Sequence, residues 1–140
     1  MKFYRTSMNF IIPLKYRKKS GGKRCISEPK LKLKRLQEIL KIEFFYPRKY
    51  LIHNCAYAYI PGMSMQGCIE KHTGKKLVVK MDIKNFFGSI TDKFVFESMK
   101  YTFCMDDETA NTVTQLCTLD GALPQGAVTS PIYQTMYAEC

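Results

Sequence analysis

The chain is 140 residues long, with 46% hydrophobic and 24% charged residues and a formal net charge of +10. This composition fits one globular domain, or a piece of a larger one, and excludes a disordered chain. No apolar run approaches the roughly 18 residues that cross a bilayer, and Met1 to Ser20 has neither the apolar core nor the small-residue cleavage site of a secretory signal.

Asn9 to Pro13 predicts a short strand and Lys23 to Ile26 a second one. Between them, Lys15-Tyr16-Arg17-Lys18-Lys19-Ser20-Gly21-Gly22 predicts a hairpin with a basic tip, because Gly21 and Gly22 reach positive φ without a steric penalty. Ser27-Glu28-Pro29 is expected to open a helix, with Pro29 in its first turn. Leu33, Leu36, Ile39 and Leu40 mark its apolar face, and it should end before Pro47. Tyr57 to Gly62 reads as irregular, with a turn at Pro61-Gly62. Ser64 is placed to cap a short helix through His72, closed by Gly74 at the C′ position.

Leu77 to Ile83 is the clearest predicted strand. Val79, Met81 and Ile83 share one face; Val78, Lys80 and Asp82 share the other. Thr91 caps a predicted helix reaching about Tyr101, and Asp106 or Asp107 caps another to about Leu119. Asp120-Gly121 turns the chain into Ala122-Leu123-Pro124-Gln125-Gly126. Ser130 and Pro131 then open a last helix, as N-cap and first-turn residue. Ile132, Tyr133, Met136 and Tyr137 on that helix are expected to have few partners left in the chain. No C-cap glycine or polar tail follows, so the sequence reads as truncated.

Charge is distributed unevenly. Residues 1–50 hold 15 Lys and Arg against 3 Asp and Glu, whereas residues 51–140 hold 7 against 9, and neither Lys nor Arg occurs past Lys100. A basic front half suggests a polyanionic partner, with a solvated basic surface as the plain alternative. The six cysteines have wide, irregular spacings and form no Cys-x-x-Cys, which reads as reduced thiols in a cytoplasmic chain, with a zinc site or disulfide framework as the alternative. His53 and His72 lack partner spacing, and His72 reads as a hydrogen-bonded packing residue. Phe44, Phe45, Tyr57 and Tyr59 read as packing aromatics rather than base-stacking ones.

Two segments carry chemistry. In Lys80-Met81-Asp82-Ile83-Lys84-Asn85-Phe86-Phe87, a carboxylate ends a strand ahead of a tight aromatic turn. That is a plausible site for a hard cation, which takes carboxylate, backbone and phosphate oxygens. A surface aspartate capping a turn is the alternative. In Leu123-Pro124-Gln125-Gly126-Ala127-Val128-Thr129-Ser130-Pro131, proline and glycine fix a loop that presents Gln125. The alternative there is an ordinary helix-entry loop.

Order and spacing join these segments into one pattern, and with it the chain resembles reverse transcriptases, most of all the bacterial retron-type branch that shares signatures with group II intron enzymes. The resemblance runs from about Phe10 to Cys140. Ile12-Pro13, Ser20 to Ile26, Pro29, Leu33-Lys34 and Gln37 resemble the first fingers block. Ala58 to Ser64, with His72 downstream, resembles the second. Asp82 to Ile90 resembles the first palm motif, and Leu123 to Pro131 the next.

The resemblance implies an α+β fold: fingers at about 1–75 and an incomplete palm at about 76–140 of a right-hand polymerase. It implies RNA-directed DNA synthesis by two-metal-ion transfer from a dNTP to a primer 3′-hydroxyl. Asp82 would bind two Mg²⁺ ions, with the Ile83 carbonyl as a further ligand. Arg24 and Lys23 would hold the triphosphate, helped by Lys18 or Lys19, and backbone N–H groups near Asn85 and Phe86 would receive its oxygens. Phe87 would exclude a 2′-hydroxyl, and Gln125 would lie beside the sugar. The implied partners are an RNA template, a DNA or RNA primer and dNTPs. A structured non-coding RNA and a role in antiviral defence are further candidates, with no membrane partner.

The family also needs a Tyr/Phe-x-Asp-Asp motif after the Leu-Pro-Gln-Gly block, and this sequence does not contain one. Cys104-Met105-Asp106-Asp107 precedes that block, lacks the aromatic, and reads as a helix start. The isolated segment is therefore expected to be inert, with a non-catalytic nucleic-acid-binding module as the alternative function.

Overall fold

The computed structural model describes residues 10–17, 21–52 and 55–137. Lys18, Lys19 and His53 lie outside the described residues, and Lys23 and Arg24 are described by their backbone. Strands β1 (Ile11–Arg17) and β2 (Lys23–Pro29) form an antiparallel pair in the register Ile11↔Pro29 to Arg17↔Lys23. Gly21 and Gly22 both have positive φ, at 83° and 86°, as the predicted hairpin requires.

Pro29 ends β2 rather than opening a helix. Pairing carries the strand past the expected helix start, and Lys30 N–H donates to the Phe10 carbonyl at 2.6 Å. Helix α1 then runs Leu31–Ile39. The α-helix ends before Pro47, as expected, but the helical path goes on. A π-helical turn, Leu40–Phe45, and a 3-10 turn, Tyr46–Leu51, continue it, with Pro47 in the first turn of the latter, where its missing N–H breaks no bond. The buried side chains of α1 are Leu33 and Gln37; Leu36 and Ile39, expected on the apolar face, are exposed.

Helix α2 (Met65–His72) starts at Ser64, whose hydroxyl accepts from Gly67 N–H at 3.1 Å, and Gly74 follows it at φ 74°. His72 on this helix is exposed, not packed, because α2 buries no side chain. Residues 77–83 are the larger departure from the sequence reading. They form no strand, since no described segment runs beside them, and backbone without a ladder partner is not a strand. The apolar side chains of both expected faces are exposed, up to 87% at Met81.

The helical remainder comprises α3 (Phe86–Ser89), α4 (Asp92–Tyr101), α5 (Asp107–Cys117) and α6 (Ser130–Tyr137). Thr91 accepts from Phe94 N–H at 3.3 Å to start α4. Asp106 starts α5: its carboxylate accepts from Thr109 N–H at 2.9 Å and from the Thr109 hydroxyl at 2.7 Å. Asp107 instead pairs with Lys100 at 2.7 Å. Both carboxylates of the Cys104–Asp107 segment are thus engaged, Asp106 in capping α5 and Asp107 in pairing it with α4. Thr129, not Ser130, has the N-cap position of α6, since its carbonyl accepts from Ile132 and Tyr133 N–H.

One core holds these helices together. Val95, Met99, Ala110, Val113 and Cys117 from α4 and α5 meet Phe45, Ile90, Leu123, Ile132 and Tyr133. Ile132 and Tyr133, expected to lack partners, are at its centre, because the π-helical turn delivers Phe45 from the front of the chain to meet them. The Phe45 and Tyr133 rings stand edge to face at 5.3 Å, and the Tyr133 hydroxyl donates to Met99 sulfur at 3.6 Å. Burial pushes the Cys117 thiol up to about 11, so it stays neutral in this core.

Tyr133→Ala should destabilise the chain by about 3–5 kcal/mol, the usual loss for a buried aromatic, read as a lowered denaturant midpoint. The Thr109 hydrogen bonds hold the Asp106 carboxyl below its ordinary value of 3.8. Its stabilisation is therefore present above that value and lost as pH falls through the lowered one. The midpoint gap between wild type and Asp106→Ala should be open at neutral pH and should close below about pH 4.

Candidate functional site

The loop from Leu123 to Ser130 is fixed at several points. Asp120 and Gly121, at φ 50° and 83°, reverse the chain, so that Ala122 bridges to Leu119 and Thr91. Leu123 N–H then donates to the Ile90 carbonyl at 3.0 Å. The Ser130 hydroxyl closes the loop on the Pro124 carbonyl at 2.7 Å. From the front of the chain, Ser27 N–H on β2 donates to the Gln125 carbonyl at 2.7 Å. Gly126, at φ 114°, passes so close to β2 that a Cβ there would collide with Ile26 Cγ2 and come within 3.2 Å of the Ser27 carbonyl. Glycine is needed at this position for both conformation and space.

The turn after Asp82 is also tightly specified. Asn85 sits in the left-handed region at φ 55°, which asparagine tolerates better than most residues. Its carbonyl accepts from Ser89 N–H at 3.1 Å, and the Ser89 hydroxyl donates to the Phe86 carbonyl at 2.7 Å. A Cβ at Gly88 would lie 2.5 Å from the Asn85 amide, so Gly88 gives that side chain its room. The Phe86 and Phe87 rings lock edge to face at 5.8 Å.

The pairing of Ile90 with Leu123 brings the two segments together. An open cleft of about 680 Å³ lies between them, lined by Asp82, Ile83, Asn85, Phe86, Phe87 and Gln125. Six of the residues singled out from sequence therefore line one cleft. Asp82 is exposed and, among the described residues, is the one carboxylate in the lining, with Lys84 the one cation. Lys23 and Arg24 are next to the cleft in sequence, on the strand whose Cys25 lines it.

The sequence reading missed three contributors. Cys25 and Gln134 line the cleft, from β2 and α6. Gln37 joins α1 to the loop from beneath; it stood among the quoted motif residues, but nothing in its spacing announced a buried amide. Cys25, too, stood in the first fingers block, and Gln134 lies four residues into a helix that starts at the loop's end.

Residues 16–139 match the family model described as reverse transcriptase (RNA-dependent DNA polymerase). The retron Ec73 reverse transcriptase of Escherichia coli is 33% identical over 131 residues, covering 86% of this chain and 41% of the relative. The retron Mx65 reverse transcriptase of Myxococcus xanthus is 33% identical over 84 residues, 60% of this chain and 18% of the relative. The retron Se72 reverse transcriptase of Salmonella heidelberg is 31% identical over 116 residues, 80% of this chain and 29% of the relative. The chain spans less than half the length of each.

Gly126→Ala should loosen the docking of the loop on β2 and cost about 1–3 kcal/mol, the range for a residue forced into a glycine conformation. Ile26→Ala in the same chain should recover the steric part alone. A double-mutant cycle on denaturant midpoints checks this, and strict additivity would show that the two positions do not meet.

Proposed function

The chain belongs to the reverse transcriptase (RNA-dependent DNA polymerase) family, and on that basis we propose that it is the fingers and first part of the palm of a retron-type RNA-directed DNA polymerase. In this reading the fingers take in residues 1–75 and the palm begins at 76. The longer protein copies an RNA template from a DNA or RNA primer with dNTPs, in the cytoplasm. A structured non-coding RNA and a role in antiviral defence belong to the same reading. The observation that carries it is the convergence of Asp82, Phe87 and Gln125 on one cleft beside the basic hairpin.

The donor set fits a hard divalent cation in part. Asp82 offers an exposed carboxylate with the Ile83 backbone beside it, oxygen donors of the kind Mg²⁺ takes together with substrate phosphates. Among the described residues no three His, Cys, Asp or Glu side chains gather; the remaining carboxylates would come from the rest of the longer protein. Two Mg²⁺ ions, when bound, would neutralise phosphate charge and acidify the attacking hydroxyl.

The chain's own residues do the rest. Asp82 holds its end of the ion site. Arg24 and Lys23 meet the triphosphate, Arg24 with a forked pair of donors and Lys23 as a point charge. Backbone N–H groups of the Asn85–Phe86 turn face phosphate oxygen, where a left-handed residue followed by a helix start aims successive amides outward. The Phe87 ring, braced by Phe86, blocks the volume a 2′-hydroxyl needs. Gln125, its backbone carbonyl held by Ser27, turns its side-chain amide to the sugar edge. Residues 77–83 become a palm strand when the remaining strands pair with them. The 140-residue chain by itself makes no DNA.

The test is primer extension on an RNA template with Mg²⁺. A full-length protein containing this segment should extend the primer. Asp82→Ala should lower the rate by on the order of a thousandfold, as loss of a pre-organised electrostatic group does, and Phe87→Ala should admit rNTPs. Unchanged extension by the Asp82→Ala protein would overturn the assignment. Salt-sensitive RNA binding without any extension would favour a binding module instead.

A further inference from the structure

Gln37 is a large polar side chain that is only 1% exposed. Burying a primary amide is costly unless both its ends are bonded. Here both are. Nε2 donates to the Leu116 carbonyl at 2.7 Å, and Oε1 accepts from Val128 N–H at 3.1 Å. Leu116 is in the last turn of α5, where helix carbonyls have no partner within the helix. Val128 is in the cleft loop, which has no ladder. One side chain on α1 thus satisfies two backbone groups that lie 79 and 91 residues further along the chain.

The chemistry at this position is narrow. Leucine fills the space but leaves a donor and an acceptor bare. An ionised glutamate cannot donate to Leu116; its charge would be buried against that carbonyl oxygen, so it turns out to water and leaves Val128 as well. A protonated glutamate can do both, because it then carries one O–H and one acceptor oxygen.

We propose that Gln37 is a positioning residue for the cleft: through Val128 it fixes the loop that presents Gln125, so that the placement of α1 against α5 is transmitted to the cleft wall. The role in ligand binding rests on the nucleotide reading given above; the role in holding the loop does not. Ser27 holds the Gln125 carbonyl from the strand side and Gln37 holds Val128 from the helix side. The loop between them has Gly126, where φ is 114° and no side chain can add a grip.

The test uses the 140-residue chain with Gln37→Leu and Gln37→Glu, and reads amide exchange residue by residue by NMR. In the Gln37→Leu protein, protection at Gln125 to Val128 should fall by about tenfold or more, while the buried amides of α4 and α5 keep theirs. The Gln37→Glu protein should behave like Gln37→Leu at pH 8 and like wild type near pH 5. Burial raises a carboxyl's pKa, so the bonded, protonated form holds below that raised value and is lost as pH rises through it. Unchanged protection at Gln125 to Val128, a uniform loss across all helices, or a Gln37→Glu protein without this pH dependence would each overturn the proposal. If Gln37→Leu fails to fold, the pH comparison within Gln37→Glu decides it.

Titration with Mg²⁺–dTTP, read on the Phe87 and Gln125 amides, is the second arm. Binding about tenfold weaker in Gln37→Leu than in wild type is expected. Equal binding despite a loosened loop would overturn the positioning role. No binding by wild type would show that the cleft of this chain alone does not hold the nucleotide, and exchange would still decide whether Gln37 holds the loop.

Discussion

A backbone hydrogen bond from Ser27 N–H to the Gln125 carbonyl, at 2.7 Å, joins a strand near the start of the chain to a loop near its end. The contact demands very close approach, and Gly126 is what permits it, since any side chain there would collide with Ile26. Once the loop is seated, Leu123 can pair with Ile90, and that pairing brings the Asn85–Phe87 turn opposite Gln125. The cleft is the space left between two segments held by the same few backbone bonds. Its shape follows from a glycine and a set of amides more than from the side chains that line it.

The core supports the same arrangement from below. Phe45 belongs to the basic front half of the chain and Tyr133 to the acidic back half, yet their rings meet in one cluster with Phe44 and Phe103. The charge boundary near residue 50 is therefore not a packing boundary. No described cation of the front half is buried, while Phe45 among them turns fully inward. Arg48 shows both behaviours at once: its guanidinium lies 4.0 Å from the Phe44 ring centre and also donates to the Phe44 carbonyl.

Local signals in the sequence were reliable where the physics is local. The Ser64, Thr91 and Asp106 caps, the Gly74 stop and the Asp120-Gly121 reversal each depend on a few adjacent residues, and each appears as read. The family resemblance was legible because its motifs are short and ordered, and six of the residues it pointed to line one cleft. What failed depended on distant partners. Residues 77–83 have the alternation of a strand, but alternation only says which faces could be buried; strand formation needs a neighbour. Pro29 reads as a helix opener until the hairpin register claims it. Ile132 and Tyr133 looked unpartnered because a π-helical turn carrying Phe45 has no signature in the sequence. Gln37 was invisible as a clamp because a glutamine at a helical position is ordinarily solvated.

The extended run from Leu77 to Ile83 matters for how the polypeptide survives before it is used. Five of its seven residues are apolar and exposed, three of them β-branched, it contains no proline, and it pairs with no described strand, which are features of an aggregation-prone segment. Lys75, Lys76, Lys80 and Lys84 stand at its ends and middle, the placement by which charged residues keep such stretches apart. Like charges on two copies repel when the runs align in register, whereas a partner strand with acidic or neutral residues opposite those lysines meets no such barrier. The lysine spacing therefore acts as a solubility filter, discouraging self-association while leaving the edge open to a differently charged strand.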